Sequence, residues 1–156
     1  MGIRLAPMAE EDYKRFYNKS LQEYAYNQVQ VGNWAAQDAV SLARTELAEM
    51  LPQGLETPNA YLSNVINDAD EKIGMMWFYV DDGRPKKTAV LLDFFLFPQF
   101  RGKGLEEQSL AVFEKGIKAV GVERVELQVF GHKHDEIALY TASQYFKTMV
   151  LFAKEL

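Results

Sequence analysis

The sequence predicts an α/β protein of the α+β kind, with one mixed, mostly antiparallel sheet flanked by helices. Three observations predict it. Apolar residues recur at helical spacing in two stretches ahead of residue 52, and three apolar, strand-like runs joined by polar turns follow up to residue 97. Beyond them the pattern alternates helix, strand, helix, strand, which places the helices across a sheet rather than in a bundle. At 156 residues the chain has the length of one domain, 1–156, and no repeat, linker or low-complexity stretch divides it.

The first element is a short strand over 3–7, where Ile3 and Leu5 alternate with Arg4 and Pro7 ends the run. A long helix follows, carrying Tyr13, Phe16, Tyr17, Ser20, Leu21, Tyr24 and Val29 on its inner face, with Lys14, Lys19 and Glu23 elsewhere on the wheel and Gly32 as its stop. Asn33 is the expected cap of a second helix, whose buried stripe reads Val40, Ala43, Leu47 and Met50 or Leu51 before Pro52 and Gly54. Antiparallel strands are expected over 60–67 and 73–80, joined by the turn at 68–72. After the hairpin loop at 81–85 comes a strand over 88–97, apolar enough to be covered on both faces and interrupted by Asp93. A helix over 104–120 presents Leu105, Ser109, Val112, Phe113, Ile117 and Val120 to the sheet, and Gly121 ends it. A strand over 124–130, a short helix over 134–143 and a last strand over 148–153 complete the order.

Composition excludes several classes of function. Apolar residues make up 48% and charged residues 25%, the mixture of an ordinary folded domain rather than a disordered one. The net charge is −5 and no basic patch gathers along the chain, so nucleic acid is not an expected partner. With no cysteine, disulfides, thiol nucleophiles and thiolate zinc sites are excluded, and the His132, His134 and Asp135 spacing matches no metal motif. The N-terminus lacks a signal-peptide pattern and no apolar run reaches membrane-spanning length, which points to a cytoplasmic protein without a membrane partner.

Chemistry is concentrated at 97–105, where Phe97-Pro98-Gln99-Phe100-Arg101-Gly102-Lys103-Gly104-Leu105 joins a buried strand to an amphipathic helix. Such a junction offers unpaired amide N–H groups and the positive end of a helix dipole at one point, which suits an anion. Glycine allows close backbone approach, and Arg101 and Lys103 add positive charge. Taken alone, the same residues also read as a solvated surface turn.

This turn, between these two elements, resembles the coenzyme A signature of the GNAT N-acetyltransferase superfamily, in which a strand ends in Pro-x-Tyr/Phe-Arg-Gly-x-Gly and opens a helix. The resemblance extends to the order of elements over nearly the whole chain and implies the acyl-CoA N-acyltransferase fold. In the family's Q/R-x-x-G-x-G/A pattern Arg101 and Gly104 fill the first two places, while Glu106 stands where a small residue is usual. An offset frame, Gln99-x-x-Gly102-x-Gly104, satisfies the same letters with less support from its flanks. A carboxylate at 106 would either oppose a diphosphate or turn aside and stabilise the helix start.

The resemblance further implies that acetyl-CoA lies in a V-shaped opening between the fourth and fifth strands. Its pantetheine would pair with the main chain of Phe95, Leu96 and Phe97, and its diphosphate would rest on Arg101, Gly102, Lys103, Gly104, Leu105 and Glu106. A second family pattern, roughly Asn-x-x-Ala-x-x-Leu-Tyr-x-x-x-Gly-Phe, aligns with 133–145. Leu139, Tyr140 and an aromatic at Tyr145 are kept, whereas Lys133, Glu136 and Gln144 replace Asn, Ala and Gly. By this resemblance Lys133 borders the cofactor and the Tyr140 hydroxyl is the acid that protonates the leaving thiolate, with a packing tyrosine as the alternative. Asp93, a lone carboxylate in an apolar strand, is the candidate base or else a structural hydrogen-bond partner. His132 and His134 are further titratable candidates, more simply read as loop residues.

An acceptor opening is expected at the first helices and the segment 51–59, with Glu56, Tyr24, Tyr26 and Trp34 as a wall for an amine. The function so implied is acetyl transfer from acetyl-CoA to a primary amine of a small molecule or peptide, with no metal. The departures at Glu106, Lys133 and Gln144 leave a ligand-sensing or protein-interaction module as the alternative. Oligomeric state stays open, with a homodimer through an exposed final strand as one option.

Overall fold

The structure is a computed structural model that describes residues 2–156; Met1, part of the N-terminal reading above, lies outside the described residues. Five strands, β1 (Arg4–Pro7), β2 (Tyr61–Ile66), β3 (Lys72–Asp81), β4 (Thr88–Leu96) and β5 (Arg124–Leu127), form one sheet in the order β1-β2-β3-β4-β5. Every pairing is antiparallel except β4 with β5, which is parallel because α3 (Leu105–Ala119) crosses between them. Helices α1 (Glu10–Gln30) and α2 (Ala36–Met50) precede the central strands, and α4 (His134–Ala142) follows β5.

The sheet separates two apolar clusters. Phe16, Leu21, Ala43 and Leu47 from α1 and α2 pack with Leu62, Met75 and Trp77 in one of them. Leu110, Phe113 and Ile117 from α3 and Tyr140 from α4 pack with Val65, Ile73, Met76, Ala89 and Leu91 in the other. A sheet covered on both sides needs strands without polar alternation, which is why Ile73, Gly74, Met75, Met76, Trp77 and Phe78 of β3 are buried in succession.

Asp12 ties the start of α1 to this sheet. Its carboxylate accepts from the Ala9 N–H at 2.9 Å, from Asn64 Nδ2 at 3.0 Å and from Lys72 Nζ at 2.9 Å. Burial works against the ionised form, but the bonds from Lys72, Asn64 and Ala9 outweigh it and hold the carboxyl below its ordinary 3.8. Asp12→Asn is therefore expected to cost about 1–3 kcal/mol of stability at neutral pH in a urea titration. Because the folded-state pKa is lowered, that contribution is present above the ordinary 3.8 and is lost as pH falls through the folded value.

Five expectations are corrected. The α2 stripe runs through Ala39, Ala43, Leu47 and Leu51, so Val40 and Met50 turn outward, and Asn33 binds Gln28 Oε1 at 2.7 Å while Ala35 holds the cap position. In α3, Leu110 is buried and Val120 is 67% exposed, because the helix ends at Ala119. The fifth strand stops at Leu127 rather than 130, for a reason given below. Residues 148–153 form no strand: beyond Tyr145, whose N–H reaches Tyr140 O at 3.0 Å, no backbone hydrogen bond is made by the described residues, and a strand exists only with a paired neighbour. No helix among the described residues is long and apolar enough to cross a membrane.

Candidate functional site

The sheet opens between β4 and β5. Their pairing runs from Thr88↔Arg124 to Leu91↔Leu127 and ends there. At that point β4 carries a bulge, since Phe78 faces Leu91 and Trp77 faces Asp93, leaving Leu92 as the extra residue. A bulge bends its strand and increases the local twist, so β4 follows β3 while β5 diverges, which also explains the short β5. The second half of β4 is left with one edge unpaired.

Which groups line that edge follows from the register. Phe97 N donates to Ile73 O at 2.8 Å, so Phe97 and Phe95 direct their main-chain groups toward β3, and alternation turns those of Phe94 and Leu96 toward the opening. Of the three residues expected to offer main-chain contacts, Leu96 turns its groups toward the opening, while Phe95 and Phe97 direct theirs toward β3. Leu96 O is itself taken by Arg101 Nε at 2.8 Å, which folds the arginine back onto the strand end.

Past β4, the single turn Pro98–Phe100 leads into Arg101-Gly102-Lys103-Gly104. Gly102 and Gly104 have φ of 73° and 79°, a region that side chains with a Cβ adopt only at a cost, and no neighbour crowds either of them closely. Glycine is required here by backbone conformation. Gly104 caps α3, and the N–H groups of residues 103–107 have no hydrogen-bond partner among the described residues. Gly102 N is the exception, lying 3.4 Å from Glu106 Oε2. The Glu106 carboxylate thus leans over the turn without closing it.

A carboxylate beside the donors that an anion would use competes with that anion. Glu106→Gln keeps the shape and removes the repulsion. For any diphosphate ligand of this turn, calorimetry is expected to read a five- to tenfold tighter Kd in the variant, about 1 kcal/mol of repulsion near a solvated surface.

Along the α1 side, Phe16 stacks on Phe95 with centroids 6.4 Å apart and meets Trp77 edge-on at 5.9 Å. That contact fixes the next helical turn, where Ser20 Oγ donates to Asp93 Oδ2 at 2.6 Å. Desolvation pushes the Asp93 carboxyl up to about 6, aided by the nearby charges of Glu23 and Glu136 and opposed by the Ser20 hydroxyl and Lys19. Lys19 Nζ lies 3.9 Å from the centroid of Phe95 and 2.6 Å from Glu23 Oε1, and the Arg15 guanidinium lies 4.9 Å from the centroid of Phe97.

Lys19 and Glu23, which the sequence places off the inner face of the helix, therefore stand beside Phe95 and Asp93. Arg15, Lys19 and Glu23 follow one another at four-residue steps beside Phe16 and Ser20, and that spacing is the signal that could have placed them.

From the other side, α4 brings in Tyr140, which is 8% exposed. Burial chiefly, then the charges of Glu136 and Asp93, raises its phenol well above the ordinary 10.0. Its ring meets Tyr145 edge-on at 5.6 Å, and its hydroxyl has no hydrogen-bond partner among the described residues. Lys133 Nζ pairs with Glu136 Oε2 at 3.2 Å, so its ammonium is held by α4 itself.

Of the residues expected to wall an acceptor, Tyr24 and Trp34 lie together, whereas Tyr26 and Glu56 are exposed. Tyr24 meets Trp34 edge-on at 5.5 Å and Phe130 at 6.2 Å, with its hydroxyl on Glu46 Oε1 at 2.7 Å. Tyr26 is 62% exposed, and Glu56 sits exposed on the turn Gly54–Glu56. His132 Nε2 lies 2.9 Å from Asn27 Oδ1 and joins the loop after β5 to α1. No group of three or more His, Cys, Asp or Glu that could hold a metal occurs among the described residues.

A mixed sheet split between its parallel strands, with an open helix N-terminus at the end of β4, is the arrangement of the GNAT acetyltransferase fold. The family model described as the acetyltransferase (GNAT) family matches residues 10–144, and the chain belongs to that family. It is 32% identical to the uncharacterized N-acetyltransferase YdgE of Bacillus subtilis (strain 168), over 100% of this chain and 99% of YdgE. With the uncharacterized N-acetyltransferase YycN of the same organism it shares 30% over the full length of both. The crystal structure of YycN superimposes with a TM-score of 0.95 at 30% identity, covering 99% of each chain. An aminoglycoside acetyltransferase from an uncultured soil metagenomic sample shares the fold at 17% identity and a TM-score of 0.58, over 99% of this chain and 96% of that one.

Proposed function

We propose that this acetyltransferase moves an acetyl group from acetyl-CoA to a primary amine of a small molecule or peptide. The observation that carries the reading is the coincidence, at one end of β4, of an unpaired strand edge with free amides at 103–107. A strand edge can receive an extended pantetheine arm, and a helix N-terminus with two glycines at positive φ can receive a diphosphate. Arg101 keeps the turn in place through Leu96 O, and Lys103 adds charge beside it.

Acetyl-CoA supplies the activated thioester. Asp93 accepts the proton that the amine must lose to attack, and its pKa near 6 leaves it ionised yet basic at neutral pH. The amine nitrogen bonds to the acetyl carbon, the carbon–sulfur bond breaks, and Tyr140 gives its hydroxyl proton to the departing sulfur. A phenol kept neutral by burial is a donor at any working pH. Holding donor and acceptor across the opening supplies the rest of the rate through orientation. The net charge of −5 favours a cationic acceptor.

The test is a titration with acetyl-CoA by calorimetry, followed by a screen of amines for release of free thiol. Saturable binding with acceptor-dependent thiol release supports the reading. Absence of binding at millimolar acetyl-CoA would favour a non-catalytic module, the alternative that Glu106 over Gly102 N suggests.

The proposed base makes a pH prediction. With a carboxylate titrating near 6, kcat/KM should rise tenfold per pH unit below that value and level off above it. Stability runs the other way. A folded-state pKa above the ordinary 3.8 stabilises the protein below that value, and the contribution is lost as pH rises through about 6. Asp93→Asn should therefore raise Tm at pH 8, leave it nearly unchanged at pH 4, and depress turnover throughout.

A further inference from the structure

A buried serine inside a helix has the carbonyl four residues earlier as a ready partner, and Ser109 Oγ of α3 donates to Leu105 O in this way at 2.7 Å. Ser20 does not. It is 6% exposed on the inner face of α1, among Phe16, Leu21 and Ala25, and its one hydroxyl proton goes to Asp93 Oδ2 at 2.6 Å, 73 positions away.

The two residues meet because of the bulge in β4. In an unbroken strand Asp93 would share a face with Leu91, which packs in the α3 cluster. The extra residue Leu92 shifts the alternation: Leu92 joins the α1 cluster, and Asp93, opposite Trp77 of that cluster, turns to α1 as well. Helix α1 is pinned on both sides of the opening, since Phe16 stacks on Phe95 of β4 and Tyr24 meets Phe130 beyond β5. Ser20 lies one helical turn from each and so stands over the gap.

The Ser20 bond occupies one carboxylate oxygen, and Asp93 Oδ1 has no hydrogen-bond partner among the described residues. Lys19 and Glu23 of α1 and Glu136 and Tyr140 of α4 are the other titratable groups that act on Asp93, all by charge rather than by a bond.

We propose that Ser20 is a positioning residue for proton transfer: by holding Asp93 Oδ2 it fixes the carboxylate in the gap and leaves Oδ1 as the atom that takes the proton of the attacking amine. The N–H bond breaks toward Oδ1 as the nitrogen joins the acetyl carbon, and the carbon–sulfur electron pair leaves with the sulfur. The inference rests on Asp93 as the base.

Ser20→Ala tests it, since alanine fits the space and suits a helix interior, and Ser20→Cys repeats the test with a weaker donor of similar size. Loss of the donor raises a carboxyl that burial already pushes up to about 6. Followed by 13C NMR against pH, the Asp93 carboxyl carbon should titrate about one unit higher in Ser20→Ala and move in the same direction in Ser20→Cys. At pH 8, with the amine that releases thiol fastest in the screen as acceptor, kcat should fall about tenfold in Ser20→Ala while the Kd for acetyl-CoA holds. In an Asp93→Asn background Ser20→Ala should cost nothing further. An unshifted Asp93 titration, a wild-type kcat in Ser20→Ala, or a loss that persists undiminished in Asp93→Asn overturns the proposal and leaves Asp93 as the base. Full turnover in Asp93→Asn alone, or an absence of thiol release with every amine, overturns the base reading itself, and this inference falls with it.

Discussion

Tyr140→Phe is expected to lower kcat by about 10²- to 10³-fold while leaving the Kd for acetyl-CoA nearly unchanged. The substitution removes one oxygen atom that has no hydrogen-bond partner among the described residues, from a ring packed against Tyr145 and the α3 side of the core. Deleting a hydroxyl that makes no hydrogen bond within the protein does not weaken the fold, so Tm should hold. The rate should nevertheless fall, because the sulfur then departs as an unprotonated thiolate. A separation between kcat and binding is the signature of a group that acts in the transition state, and a packing tyrosine would move neither. Acceptors whose rates are limited by product release would mask the effect, so single-turnover measurement is the appropriate readout.

The second large effect is expected at Gly104. With φ at 79°, any replacement strains the backbone by about 1–2 kcal/mol, and Gly104→Glu also sets a carboxylate over the free amides at 103–107. Acetyl-CoA binding should weaken by at least a hundredfold in Gly104→Glu and by about tenfold in Gly104→Ala, the difference being charge and bulk. Both variants should keep the fold, since Gly104 caps a helix whose buried face begins at Ser109. Together with Glu106→Gln, which is expected to tighten binding, the series makes the charge above this turn the controlled variable.

Much of the fold was legible because it is local. The spacing of Phe16, Ser20 and Leu21 marks the inner face of α1, and the apolar run from Ile73 to Phe78 announces a strand covered on both sides. The turn at 101–104 was legible for the same reason, since paired glycines before a helix leave few conformations. What escaped depends on residues distant in sequence. The bulge at Leu92 exists only in the pairing with β3, and it decides both where β5 ends and which main-chain groups of β4 face the opening.

Lys19 and Glu23 fall off the inner face on a helical wheel, yet Lys19 lies over the Phe95 ring and holds Glu23 beside it. Asp93 was identified as unusual from its apolar neighbours, but its partner Ser20 lies 73 positions away and carries no signal of its own. The last segment was read as a strand from apolar content alone. Content fixes what a segment must bury, while a strand also needs a paired neighbour that content does not name.

Acetyl-CoA binding as proposed requires the main-chain N–H groups at the start of α3 to receive a diphosphate. Backbone amide NMR tests it most directly, by titrating the protein with acetyl-CoA and, separately, with S-acetylpantetheine, which lacks the diphosphate. Saturable shifts are expected at residues 103–107 with acetyl-CoA, weak or absent with the truncated thioester, and a higher affinity in Glu106→Gln. Amides at 103–107 that stay unmoved while acetyl-CoA binds elsewhere would contradict it.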